Sequence, residues 1–346
     1  MKEYLTYDDV QILPKYSEIK HRINCNTSTK VTKNIKLDIP IVSSPMDTVT
    51  GLDMAYVMGY LGGMGIVHRF MSIEEQSNII HQCNLERDQY DTDGLHVGAA
   101  IGVTGDFIER TQELLLKGCS VICIDVAHGH HKLVKEAMRR LKNEINGKID
   151  ILVGNISTKE SAKDLCEWGA DGLRIGIGGG SLCSTRIQTG VGVPMVTSIL
   201  DCVDVADDYD VPCMADGGIR SVGDVCKGLA CGADTIMLGS LLSGTKESPG
   251  SITKQGVWPN EVLQKKYRGS ASLESKLDRG EDKNVEGYST TVPYKGKVSR
   301  IINDILDGLK SSMSYVGAEN IIDFQTKSEL IKITNSGITE AKPHLL

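Results

Sequence analysis

The feature that most constrains this chain is an eightfold alternation of short apolar runs with longer amphipathic stretches, beginning near residue 39. The runs are IPIVSS (39–44), GMGIVH (63–68), HVGAAIGV (96–103), VICIDV (121–126), IDILVG (149–154), GLRIGI (172–177), VPCMAD (211–216) and TIMLGS (235–240). Each is nearly continuous in apolar residues, as expected of parallel strands covered on both faces. Helical patterns lie between most of them. In DFIERTQELLLKG, Ile108, Leu114 and Leu115 mark one face. TKESAKDLCEWG opens with Thr158 and Ser161 at capping-box spacing. This alternation predicts a closed (β/α)8 barrel rather than an open doubly wound sheet. A length of 346 residues suits one such barrel with insertions.

After the eighth run the pattern stops. Residues 246–297 are polar and lack apolar periodicity, which predicts a long loop or active-site flap rather than core. VSRIINDILDGLKSSM (298–313) predicts an amphipathic helix, and a polar tail follows to Leu346. The expected organisation is one catalytic domain spanning 1–346, with its flap at about 246–297.

Charge and cysteine usage narrow the function. A net charge of −7 argues against a nucleic-acid surface. No run approaches the ~18 uninterrupted apolar residues of a membrane span. No secretory signal pattern marks MKEYLTYDDV, and most of the ten cysteines sit in or beside apolar runs, as free thiols do. The expected compartment is the reducing cytosol. Cys119 and Cys123 precede His128, His130 and His131, but the cysteines alternate within a strand-like run. Without a second ligand pair this is no zinc motif.

An anionic ligand therefore needs a local cradle. Barrels of this type keep their working groups at the C-terminal ends of the strands. Glycines cluster there: Gly178-Gly179-Gly180-Ser181, Asp216-Gly217-Gly218 and Gly239-Ser240 follow the sixth, seventh and eighth runs. Glycine lets backbone amides approach an anion, and loops entering helix N-termini aim those amides at phosphate. A plain turn role accounts for one such loop more readily than for three in a row. Cys183 lies in GIGGGSLCSTR (176–186), flanked by Ser, Thr and Arg instead of apolar residues. Cations and oriented amides favour the nucleophilic thiolate. A lone loop cysteine is structural more often than catalytic, so the surrounding glycine loops carry the weight here.

The chain resembles the IMP dehydrogenase/GMP reductase family over nearly its whole length. The matching segments include LTYDDVQILP (5–14), PIVSSPMDTVT (40–50), GGMGIVHRFMSIEEQ (62–76), IDVAHGHH (124–131), GADGLRIGIGGGSLCSTRIQTGVGVP (169–194), ADGGIRSVGDVCKGLACGAD (215–234), IMLGSLLSGTKESPG (236–250) and VPYKGKV (292–298). The resemblance implies a TIM barrel and a purine nucleotide monophosphate as substrate, attacked at purine C2 by Cys183. It implies phosphate contacts at Ser181, Gly217, Gly218, Gly239 and Ser240, and ribose contacts at Asp216. It implies nucleotide-lining roles for Ser44, Met46, Asn155, Tyr267 and Gly269. Asp125 and Arg174 match positions near the nicotinamide cofactor, with an ordinary N-cap or ion pair as the lesser alternative for Asp125 at a strand end. The carbonyls of Gly178, Gly180 and Cys183 match a monovalent-cation site for potassium. A homotetramer is also implied.

The family's two activities share one covalent intermediate. A dehydrogenase oxidises IMP with NAD and hydrolyses the adduct, using a flap Arg-Tyr pair to activate water. A reductase expels ammonia from GMP and returns hydride from NADPH. Here Arg279 is followed by Gly280, so no Arg-Tyr pair exists. GSAS (269–272), NVEG (284–287) and LKSSMSYVG (309–317) resemble reductases. Thr185 and Glu286 match the reductase pair that activates the ammonia step, although dehydrogenases also carry Thr and Glu or Gln there. VGAAIGVT (97–104), Arg174 and GITEAKPH (337–344) resemble dehydrogenases instead. HRFMSIEEQ runs within about 20 residues into HVGAAIG, leaving no room for the CBS pair that dehydrogenases usually insert. The expected activity is reduction of GMP to IMP and ammonia with NADPH, or NADH, as hydride donor. An IMP dehydrogenase lacking CBS modules is the alternative.

Overall fold

The computed structural model describes residues 2–90, 95–256, 259–281 and 286–342. Asn284 and Val285 of the NVEG segment, and Pro343 and His344 of GITEAKPH, lie outside the described residues.

All eight apolar runs carry a barrel strand. These are β1 (Ile41–Ser43), β2 (Met64–Val67), β3 (His96–Ile101), β4 (Val121–Asp125), β5 (Asp150–Ile156), β6 (Gly172–Ile175), β7 (Cys213–Asp216) and β8 (Thr235–Leu238). They close into one parallel ring in chain order. The two-residue period of a strand splits each run between two cores. Val42, Met64, Ile66, Ala100, Val121, Cys123, Leu152, Met214 and Met237 fill the barrel interior. The alternate residues, such as Ile41, Ile122 and Val153, belong to the outer core.

The helices are α1 (Leu52–Tyr60), α2 (Ile73–Tyr90), α3 (Phe107–Leu116), α4 (Lys132–Ile145), α5 (Lys159–Glu167), α6 (Thr185–Thr189), α7 (Met195–Ala206) and α8 (Val222–Ala230). In α4, Val134, Ala137, Met138, Leu141 and Ile145 form the buried stripe that 3.6-residue spacing requires. The capping box forms as read: Thr158 Oγ1 accepts from Ser161 N at 3.2 Å, and Ser161 Oγ accepts from Thr158 N at 3.1 Å. Only residues 68–72 separate β2 from α2.

Two segments are more regular than their polar sequences suggest. The flap folds into an antiparallel sheet of β9 (Thr253–Gln255), β10 (Val262–Arg268) and β11 (Ser289–Pro293), with α9 (Leu273–Leu277) between the last two strands. Its strands are joined by backbone hydrogen bonds, and within β10 only Lys265 and Tyr267 are buried. Apolar periodicity therefore had nothing to report. The amphipathic helix expected over 298–313 is α10 (Val298–Tyr315), and the polar tail after it likewise carries α11 (Ile321–Lys327) and a strand, Leu330–Lys332, paired with Val10–Ile12. No helix among the described residues is long and apolar enough to cross a membrane.

Candidate active site

The ends of β6, β7 and β8 bring the three glycine loops together. Gly176 turns the chain out of β6 at φ +140°, where a Cβ would lie 2.0 Å from the Asp216 carbonyl oxygen. Only glycine permits that approach. Gly217 sits at φ +105°, and its Cβ would come within 2.9 Å of the Gly179 carbonyl carbon. The Gly218 amide donates to Gly179 O at 2.7 Å. The loops after β6 and β7 are thus packed backbone to backbone.

Cys183 is half-buried at the tip of the first loop, while the other nine cysteines are buried. Burial pushes the thiols of Cys83, Cys119, Cys123 and Cys231 up to about 12, so they stay protonated. The flap pins the Cys183 loop. Ser184 N donates to Glu286 O at 3.0 Å and Tyr288 N to Leu182 O at 3.0 Å, with Cys183 bridged to Gly287. Within that clamp the Cys183 thiol donates to Thr185 Oγ1 at 3.1 Å, and the Thr185 hydroxyl donates to Glu286 Oε2 at 2.7 Å. Sulfur, hydroxyl and carboxylate form one line along which a proton can move.

A second cluster spans the ends of four strands. Arg174 of β6 is buried and donates from Nη1 to Asp125 Oδ1 at 2.6 Å and from Nε to Asp216 Oδ2 at 2.9 Å. Burial opposes its charge, but Asp216 and Asp125 outweigh that cost and raise its pKa above the ordinary value. Asn155 donates from Nδ2 to Asp216 Oδ2 at 2.8 Å and to Gly176 O at 2.8 Å. It is the extra residue where the register of β5 against β6 shifts, between Gly154 and Ile156. A bulge of that kind re-aims a side chain. Asp125 is therefore in an ion pair, the plainer of its two sequence readings, and Arg174 links it to Asp216.

A third group lies at β8 and β1. A Cβ on Gly239 would be 3.3 Å from both Met46 Sδ and Tyr267 Oη, and 3.8 Å from Ser44 Cβ. The hydroxyls of Tyr267 and Ser181 share a 3.0 Å hydrogen bond. Burial raises the Tyr267 phenol, which keeps it neutral. Gly269 stands further out: its amide donates to Tyr288 O at 3.0 Å within the flap, and it borders Leu182.

Sequence reading missed Lys295. Its ammonium donates to Ser240 O at 2.7 Å and Leu241 O at 3.2 Å, directly behind the glycine loop of β8. The signal available was a lysine before glycine in VPYKGKV, where a tight turn returns the flap to the barrel.

Comparison with known proteins gives the family. The IMP dehydrogenase/GMP reductase domain model matches residues 4–344. An inosine-5'-monophosphate dehydrogenase of Cryptosporidium parvum is 40% identical, the match covering 98% of this chain and 94% of the relative. A GMP reductase of Leishmania major is 31% identical over 99% of this chain and 97% of its own. The structure of a GMP reductase from Trypanosoma brucei in complex with guanosine 5'-monophosphate superposes with a TM-score of 0.93 at 30% identity. That match covers 100% of this chain and 98% of the other. The chain belongs to the IMP dehydrogenase/GMP reductase family of NAD(P)-dependent oxidoreductases.

Proposed function

We propose that this member is a GMP reductase, converting GMP and NADPH to IMP, ammonia and NADP. The observation that carries the reading is the hydrogen-bonded line from Cys183 through Thr185 to Glu286. The Cys183 sulfur attacks purine C2, and its proton passes by way of Thr185 to Glu286. Glu286 supplies that proton to the C2 amino group, which leaves as ammonia. The bound dihydronicotinamide supplies hydride to C2. The carbon–sulfur bond then breaks and Cys183 is released as thiolate.

The remaining residues hold and orient. Ser181, Gly217, Gly218, Gly239, Ser240 and Tyr267 take the phosphate, and Asp216 takes the ribose hydroxyls. Ser44, Met46, Asn155 and Gly269 line the nucleotide. Asp125, fixed by Arg174, faces the cofactor. The carbonyls of Gly178, Gly180 and Cys183 would hold potassium, for which neutral carbonyl oxygens are suitable ligands. One loop offers only these three, so water or another chain completes the shell. The same reading includes a single catalytic unit over 1–346 with a flap at 246–297 and no CBS pair, working as a cytosolic homotetramer.

The dehydrogenase reading is favoured by one observation, the 40% and 38% identities to proteins named as dehydrogenases against 31% and 30% to those named as reductases. Identity over the whole chain reports mostly the barrel, whereas the outcome is decided by what reaches the adduct. Arg279 is engaged within the flap, donating to Ser270 O at 3.0 Å and Ser275 Oγ at 2.7 Å. No tyrosine follows it, so hydrolysis lacks the base that dehydrogenases use. Paired assays decide. GMP with NADPH should release one ammonia per IMP, and IMP with NAD should yield little XMP beyond an initial burst of NADH. Sustained XMP formation faster than GMP consumption overturns the reductase reading.

A further inference from the structure

Three consecutive flap residues do different work at the end of β10. Tyr267 points inward, where its hydroxyl meets Ser181 Oγ at 3.0 Å. Arg268 leaves on the opposite side, as the two-residue period of a strand requires. Its Nε and Nη2 both donate to Asp47 Oδ2, at 2.9 and 2.6 Å. Its backbone is tied to the next residue: Arg268 N donates to Thr48 Oγ1 at 3.1 Å, and Thr48 Oγ1 donates to Arg268 O at 3.4 Å. The side chains of Arg268 and Asp47 are only 14% and 12% exposed, whereas Asp278, which accepts from Nη1 at 2.6 Å, is 60% exposed. Asp47 Oδ1 is buried and has no hydrogen-bond partner among the described residues. Burial lowers the pKa of His68, which feels the same carboxylate, so the balancing charge comes from Arg268.

Gly269 begins a turn, 269–272, that lies between the cysteine loop and Glu286. Gly269 borders Leu182, the neighbour of Cys183. Ala271 O accepts from Glu286 N at 3.1 Å, and Ser272 N closes the turn onto Gly269 O at 2.9 Å. On the barrel side, Asp47 directly follows Met46, which borders Gly239 at the end of β8. The bond between residues 47 and 268 therefore sets the distance between two walls of the site. We propose that Arg268 is a positioning residue that, by gripping Asp47, holds the turn 269–272 at the purine base; the assignment rests on Met46 and Gly269 lining the nucleotide. Two donors on one oxygen fix the direction of the guanidinium as well as its distance, which the point charge of a lysine does not do. Removing one partner leaves a buried charge uncompensated, so the pair acts as a unit.

The test titrates two ligands into the full chain: IMP, and ribose 5-phosphate, which carries the phosphate and ribose without a base. R268Q should weaken IMP about tenfold or more, on the scale of a charged hydrogen bond, and leave ribose 5-phosphate unchanged. R268K should recover part of the loss. D47N should weaken IMP similarly, and combining D47N with R268Q should weaken it no further than R268Q alone, as two residues acting through one contact do. R268Q that binds IMP like the unmodified protein, or loses both ligands alike, overturns the proposal and leaves the nucleotide reading standing. Fully additive losses in the double variant also overturn the proposal. An unmodified protein that binds IMP no tighter than ribose 5-phosphate overturns both the proposal and the base-side reading beneath it.

Discussion

The Thr185 hydroxyl donates to Glu286 Oε2 at 2.7 Å, joining the cysteine loop to the flap across 101 residues of sequence. The bond places a carboxylate two hydrogen bonds from the Cys183 sulfur. The same flap segment that holds the cysteine loop through its backbone thus also supplies this carboxylate.

Glu286→Gln separates the two half-reactions. The amide still accepts from Thr185 but cannot take up a proton. Ammonia release from GMP should fall by roughly 10²-fold or more, the usual scale of general acid–base catalysis. Hydride return from NADPH to an adduct already formed should fall much less, because that step releases Cys183 as thiolate and draws no proton from Glu286. Equal loss in both steps would assign Glu286 a purely structural role.

Cys183→Ala should abolish turnover while retaining nucleotide binding, because the ribose contact and most of the proposed phosphate contacts come from the loops after β7 and β8. Losing covalent catalysis costs several kcal/mol in barrier. Residual activity above about a hundredth of the unmodified protein's, each tenfold being about 1.4 kcal/mol, would contradict covalent catalysis.

The phosphate glycines should respond differently from one another. Gly239→Ala puts a methyl 3.3 Å from Met46 Sδ and Tyr267 Oη, so it should raise the GMP KM strongly with little change in Tm. Gly217→Ala adds backbone strain at φ +105° and a 2.9 Å contact with Gly179, so it should lower Tm as well. Guanosine reacting as well as GMP would show that the phosphate cradle lies elsewhere.

Lys295→Met removes the ammonium that braces Ser240 and Leu241. Burial lowers its pKa, so the charge is held at some cost behind the cradle. IMP affinity should drop about tenfold, on the scale of charged hydrogen bonds, while the weaker binding of inosine stays unchanged. An equal loss for inosine would mean that Lys295 only supports the fold.

Asp234, whose Oδ2 accepts from Cys213 N at 2.7 Å, has its carboxyl pushed up by burial to about 6. Its folded pKa lies above the unfolded value of about 3.9. Its contribution to stability is therefore fully present below pH ~4 and is lost as pH rises through about 6. Asp234→Asn keeps a side-chain acceptor and removes the titration. Thermal unfolding should show a smaller fall in Tm from pH 5 to pH 7 in the variant. An unchanged slope would mean that Asp234 does not titrate in this window.

Much of the site was legible because its signals are local. Gly217, Gly218, Gly239 and Ser240 declare themselves by falling directly after apolar runs, and Cys183 by its polar neighbours. Lys295 was not legible. A lysine in a turn carries no periodic signature, and its significance rests on which carbonyls lie beside it.

The sequence by itself determined the eightfold ring, since alternating apolar runs and amphipathic helices bury their surfaces best by closing on one another. It also determined which strand ends carry glycine. Ring closure decided the rest. It brought Asp125, Arg174 and Asp216 from three different strands within hydrogen-bond reach of one guanidinium. Backbone pairing, not apolar burial, built the flap sheet that sets Glu286 beside Thr185. Contacts of that kind depend on side-chain direction and on distances across the ring, and neither is encoded in the spacing of residues along the chain.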